Sequence, residues 1–157
     1  MDIHSIEQSL LEQRFLMCSL TIAECHDSLF ESISELTTCF DGPFLRKEIA
    51  CTFYNSYHVA NDTRAINCFN RYLSTPMIQQ VPLISNWQGY IVNLSIPYEH
   101  GHIEGSYFAI QWICEILDLN IYLWSIESQT IDIKFHATNA SSKVLYLMRK
   151  CVIVASL

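Results

Sequence analysis

Glycine and proline are scarce, with four of each in 157 residues. A collagen-like repeat and a linker-rich chain are therefore excluded. Basic residues are also few: nine stand against sixteen acidic ones, a formal net charge of −7. Only Arg46-Lys47 and Arg149-Lys150 are adjacent, whereas a nucleic-acid binder concentrates such charges against phosphates. No nucleic-acid partner is expected; the acidity suits a basic or neutral protein. No apolar run reaches the ~18 residues that a membrane helix needs. The opening MDIHSIEQSLLEQRF carries acidic residues and lacks a long apolar stretch. No signal peptide and no membrane partner are expected, and the expected location is cytoplasmic or nuclear.

Motifs with a fixed chemistry are missing as well. The chain has no G-x-S-x-G elbow, no glycine-rich phosphate loop and no C-x-x-C pair, and its Cys and His residues lack zinc-finger spacing. No metal and no cofactor are expected. The seven cysteines (Cys18, Cys25, Cys39, Cys51, Cys68, Cys114 and Cys151) are odd in number and irregularly spaced. They read as reduced residues, buried as small hydrophobes in apolar runs such as ICEIL and KCVIV. His100-x-His102 lies between Glu99 and Glu104. A strand would put both imidazoles on one side, but no third ligand is indicated, and a solvated loop is the expectation.

What is present is a globular composition, half hydrophobic and 12% aromatic. The length suits one domain over 1–157. Residues 5–20 carry a helical stripe of Ile6, Leu10, Leu11, Phe15 and Leu20. In AECHDSLFESISEL (23–36) a helix starts at Asp27 or Ser28. Asp27 and Ser28 are good N-cap residues, and Glu31 stands at capping-box spacing from Ser28, so Ser28 reads as the cap. Asp41-Gly42-Pro43 reads as a turn. FLRKEIACTFYNSY follows, with Leu45, Ile49, Phe53 and Tyr57 at spacing four, a third helix. Asp62 opens a fourth over 62–73. Residues 74–89 read as loop, and WQGYIVNL (87–94) as helix or strand. Residues 97–105 read as a loop, and GSYFAIQWICEILDL as a buried helix capped by Ser106. Four strands are expected: NIYLWSI, TIDIKFHA, KVLYLMRK and CVIVASL. The fold class expected is α/β in α+β layers, with N-terminal helices packed on a small C-terminal β-sheet.

Ser28-Leu29-Phe30 at a helix start, Leu45-Arg46 in the next helix, and Tyr90-Ile91-Val92-Asn93-Leu94-Ser95 form a series. It continues with the helix over 109–119, Asn120-Ile121-Tyr122-Leu123, and Ile153-Val154-Ala155-Ser156-Leu157 at the end. In order and spacing this series resembles the ovarian-tumour (OTU) family of cysteine deubiquitinases over about residues 20–157. The resemblance implies an OTU-like cysteine-protease fold, with an N-terminal helix over 1–20 and a core over 21–157. The family pattern D-G-N-C-L-F is altered here. Its aspartate corresponds to Cys25, its glycine to His26, its nucleophile to Ser28, and the base of its last strand to Ile153. The W-G pattern before the middle helix is replaced near Gly101 and His102. A serine without a base is a poor nucleophile, and isoleucine accepts no proton.

The resemblance thus implies an inactive, deubiquitinase-like pseudoenzyme with degenerate positions Cys25, Ser28 and Ile153. It would bind a protein, ubiquitin or a ubiquitin-like protein among the options, with His100, His102 and Glu104 facing the partner. Two alternatives stay open. One is an active cysteine isopeptidase in which Cys25 attacks and His100, His102 or His136 serves as base. The other is a structural subunit of a homo- or hetero-oligomer.

Overall fold

Every strand in the described part of the chain comes from its last third, after the helices have been laid down. The structure, a computed structural model, describes residues 27–38, 41–74, 87–139 and 141–149. The helix expected over 5–20, the strand expected over 151–157, Cys25 and Ile153 lie outside the described residues.

Helix α1 (Ser28–Thr37) buries Phe30 and Ile33. Leu36, expected on the same face, is 52% exposed. Of the two cap residues expected, Asp27 and not Ser28 takes the position. Asp27 occupies the N-cap position without a side-chain cap bond, and Ser28 is the first helical residue. The capping role expected of Ser28 is therefore corrected. Thr38 ends the helix in the left-handed region (φ 56), its N–H donating to the Ser34 carbonyl.

Asp41-Gly42-Pro43 is not a free turn but the start of helix α2 (Gly42–Tyr54). The Asp41 carboxylate accepts from the Phe44 N–H at 2.7 Å, and Pro43 sits in the first turn, where its missing N–H costs nothing. Helix α2 runs on into a π-turn (Asn55–Val59). This explains how residues spaced by four stay together. In an α-helix each step of four overshoots a turn by about 40°, so Tyr57 would drift off the Leu45 face. The wider π-turn takes up the excess, and Tyr57 stacks on Phe53 at 5.7 Å between centroids.

Helix α3 (Thr63–Cys68) begins as expected at Asp62, whose side chain accepts from the Arg64 N–H, and it too ends in a π-turn (Phe69–Leu73). The Arg64 guanidinium holds the Asp62 carboxyl below its ordinary value. Residues 87–89, expected in a loop, open helix α4 (Trp87–Leu94), which settles that segment as helix. The loop expected over 97–105 contains a short helix, α5 (Tyr98–Gly101). Helix α6 (Tyr107–Leu117) is capped by the Ser106 hydroxyl, which accepts from the Ala109 N–H at 3.4 Å.

Strands β1 (Asn120–Ser125), β2 (Thr130–Phe135) and β3 (Val144–Arg149) form a mixed sheet in the order β2-β1-β3. β1 and β2 are antiparallel, with Tyr122 opposite Lys134 and a register shift between Leu123 and Trp124. β3 runs parallel to β1, with Tyr146 opposite Tyr122. Helices and sheet share one apolar core from Phe30 to Leu147, and the architecture is α+β.

Phe53 sits at the middle of that core. Its ring meets Phe108, Trp112 and Trp87 edge-on, at 4.8, 5.4 and 6.3 Å. Each such side chain contributes ~1.5–3 kcal/mol by leaving water. Buried Glu115 fastens the segment after β2 to α6. It accepts from the Thr138 hydroxyl at 2.7 Å, the Thr138 N–H at 3.0 Å and the Gln111 amide at 3.2 Å. Cys68 and Cys114 are buried and free, as expected, whereas Cys51 is exposed. Among the described residues no helix is long and apolar enough to cross a membrane.

Candidate functional site

The residues around Ser28 are organised by one buried cation. Arg46 lies on the same face of α2 as Ile49, Ala50 and Phe53, all buried, and is itself 1% exposed. A guanidinium there must have its charge and donors matched. Nη1 donates to the Leu94 carbonyl at 3.0 Å, and Nη2 to the Ile103 carbonyl at 2.9 Å and to Asp27 Oδ1 at 2.5 Å. The ring of Phe30 lies 4.2 Å from the guanidinium carbon, a cation–π contact. Asp27 Oδ1 accepts a second bond from the Tyr98 N–H at 3.3 Å. Arg46 therefore joins the start of α1, the end of α4 and the segment that follows α5.

Two glycines allow this closeness. A Cβ on Gly101 would collide with the Asn93 carbonyl, and one on Gly105 with the Leu29 side chain. The segment 98–106 is thereby laid across the end of α4 and the beginning of α1. Its far end is pinned at Ser106, whose hydroxyl lies 2.7 Å from that of Tyr90 on α4. Burial pushes the Tyr90 phenol up to about 12, so it stays a neutral partner for Ser106.

Ser28 and the segment carrying His100, His102 and Glu104 thus share one surface. Among the described residues, the hydrogen bond to a base that would activate Ser28 is not formed. Ser28 is half-buried, and its hydroxyl makes no hydrogen bond among the described residues. His100 is exposed and points its Nε2 at Glu99, 3.0 Å away, an exposed pair that contributes little to stability. His102 is exposed in the left-handed region (φ 58), its ring edge-on to Tyr98 at 5.8 Å. Glu104 is exposed too. His136 is elsewhere: its ring meets Tyr122 on the sheet, and its carbonyl accepts from Gln111. Among the described residues no three His, Cys, Asp or Glu side chains are grouped to hold a metal ion.

Cys68 and Cys114 are the wrong thiols for nucleophilic work. Burial raises both, Cys114 to about 12 and Cys68 further, whereas a reactive cysteine is partly exposed and lowered.

Arg46 is the residue whose importance reading the sequence missed. Its neighbours Leu45 and Lys47 present it as part of a short motif and a basic pair, not as a core position. The available signal was its spacing of three, four and seven from Ile49, Ala50 and Phe53, which places it on the buried face. No protein-family model and no curated protein matches the chain.

Proposed function

We propose that this chain is a protein-binding domain of OTU-like type without hydrolytic activity, receiving ubiquitin or a ubiquitin-like protein on the surface formed by the start of α1 and residues 98–105. The reading rests on the order of the motifs that resemble the family, from Ser28-Leu29-Phe30 through Leu45-Arg46 to the Asn120 strand. The observation that carries it is the state of the helix start. The Asp27 carboxylate, the acidic group next to Ser28, is bound to Arg46 and Tyr98. The Ser28 hydroxyl has no bonded base among the described residues, and a hydroxyl nucleophile needs one. The chain's net charge of −7 favours a partner with a basic contact region.

Ubiquitin carrying a thiol-reactive C-terminal electrophile tests the loss of chemistry, with Cys25→Ala as control. No adduct is expected from the folded protein. Labelling that disappears in Cys25→Ala would return the protein to the active thiol hydrolases. Titration of the labelled chain with ubiquitin, followed by NMR, tests the partner. Shifts confined to 27–29 and 98–105 are expected, and an unchanged spectrum at high micromolar ubiquitin removes ubiquitin as the ligand.

A further inference from the structure

The solvent side of α2 is apolar where a surface helix is ordinarily polar. Its buried side carries Leu45, Arg46, Ile49, Ala50 and Phe53. Opposite them stand Phe44, Lys47, Cys51 and Tyr54, and the π-turn adds His58. Cys51 and His58 are exposed, Phe44 is 45% exposed and Tyr54 48%. Lys47 is the only full charge among the five. A helix that is apolar on both sides is ordinarily covered on both.

The spacing of the stripe indicates what fits it. Steps of three, four, three and four separate residues 44, 47, 51, 54 and 58, the spacing at which one helix packs along another. The stripe is also nearly symmetric about Cys51, with members four and seven before it and three and seven after it. A two-fold axis through Cys51, perpendicular to the helix, sets a second α2 antiparallel to the first. Phe44 of each copy then faces His58 of the other, ring against ring. Lys47 comes within one residue's rise, about 1.5 Å along the helix, of the other copy's Tyr54, a cation beside an aromatic face. Cys51, small and uncharged, meets its own equivalent on the axis, where an isologous contact would oppose like charges. A parallel pair in register would instead set Lys47 against Lys47. Tyr54 and His58 are already in contact at 4.7 Å between ring centroids, and His58 is backed by Trp87 at 4.8 Å. That end of the stripe is a set of packed aromatic rings, the kind of group that anchors interfaces.

We infer that the solvent face of α2 is a self-association surface, on which a second copy of the chain docks antiparallel about Cys51. It uses the side of α2 that faces away from Arg46, and so does not depend on the reading of the surface around Ser28. A contact of one helix on one helix is at the small end of protein interfaces, so the pair is weak and reversible.

The test is sedimentation equilibrium of the full chain in reducing buffer, from ~10 μM to ~1 mM. A reversible monomer–dimer equilibrium is expected. Tyr54→Glu and Lys47→Glu should each weaken it at least tenfold, because the two-fold axis counts every change twice. A short bifunctional maleimide should join two chains through Cys51, the linked peptides being identified by mass after digestion. Cys51→Ser should abolish that product, and Tyr54→Glu should reduce it. A monomer throughout the range would overturn the inference. So would a dimer that neither substitution weakens, or cross-linked chains without the Cys51 pair. Should Tyr54→Glu fail to fold, an unchanged equilibrium in folded Lys47→Glu would overturn it.

Discussion

Two parts of the molecule are held together by different means. Around Phe53 the contacts are between rings: Tyr57, Trp87, Phe108 and Trp112 close on it from three elements, the π-turn, α4 and α6. Around Arg46 the contacts are hydrogen bonds to the carbonyls of Leu94 and Ile103 and to the Asp27 carboxylate. The aromatic cluster is non-directional and tolerates small shifts in angle. The cation assembly is directional, and each bond fixes one segment at one place. The first stabilises by taking apolar surface out of water. The second decides where residues 98–106 lie relative to Ser28.

That contrast can be broken by substitution. Phe53→Ala removes the central ring and leaves a void in the core. A loss of ~3–5 kcal/mol is expected, measured by urea unfolding, with hydrogen exchange rising throughout the molecule. Arg46→Met keeps most of the volume but strands one carboxylate and two buried carbonyls. Breaking a buried pair costs ~3–5 kcal/mol, and the lower end is expected because Asp27 is 30% exposed. Its exchange signature should be local, with amides at 27–29 and 98–106 released while the sheet stays protected. Matching exchange patterns in the two variants would show that the regions form one cooperative unit and that the contrast is unfounded.

A third measurement sharpens the comparison at high pH. Burial raises Cys68 and Cys114 from an ordinary value of 9.0, and Tyr90 from 10.0 to about 12. Each group is neutral in the folded state and ionises more easily when unfolded. Their contribution is therefore complete below the unfolded values and lost as pH rises through the folded ones. Stability should decline from pH 9 upward, with the Tyr90 part developing between about pH 10 and pH 12. Tyr90→Phe removes that part, on the order of 3 kcal/mol. An unchanged alkaline slope in Tyr90→Phe would mean that the Ser106 end of the 98–106 segment is not held by the neutral phenol.

The helices around the aromatic cluster were readable because side-chain periodicity announces them. Leu45, Ile49, Phe53 and Tyr57 mark α2, Asp62 marks the start of α3, and Ser106 marks the start of α6. The three described strands followed from apolar runs of strand length. The π-turns were not readable, since a spacing of four fits both an α-helix and a helix with a widened turn. Ser28 misled because it has the right type and the right spacing to Glu31 for a cap. Asp27 holds that position, and its carboxylate turns instead to an arginine 19 positions away.

The candidate surface was only half readable. Ser28, His100, His102 and Glu104 were each identifiable in the sequence, but nothing in their spacing put the helix start and the segment together. The acceptors that do so at Leu94 and Ile103 are main-chain carbonyls, which every residue possesses and no residue type advertises.

The sequence by itself determined the α+β layout and the helix caps at Asp62 and Ser106. These are properties of local pattern and of chemical type. Only the tertiary structure decided that Arg46 is the buried centre of the candidate site, that Gly101 and Gly105 admit close backbone approaches, and that Glu31 faces Gly42. Those depend on segments distant in sequence meeting at a few ångströms, where burial leaves a charged side chain no solvent and makes the position of each acceptor decisive.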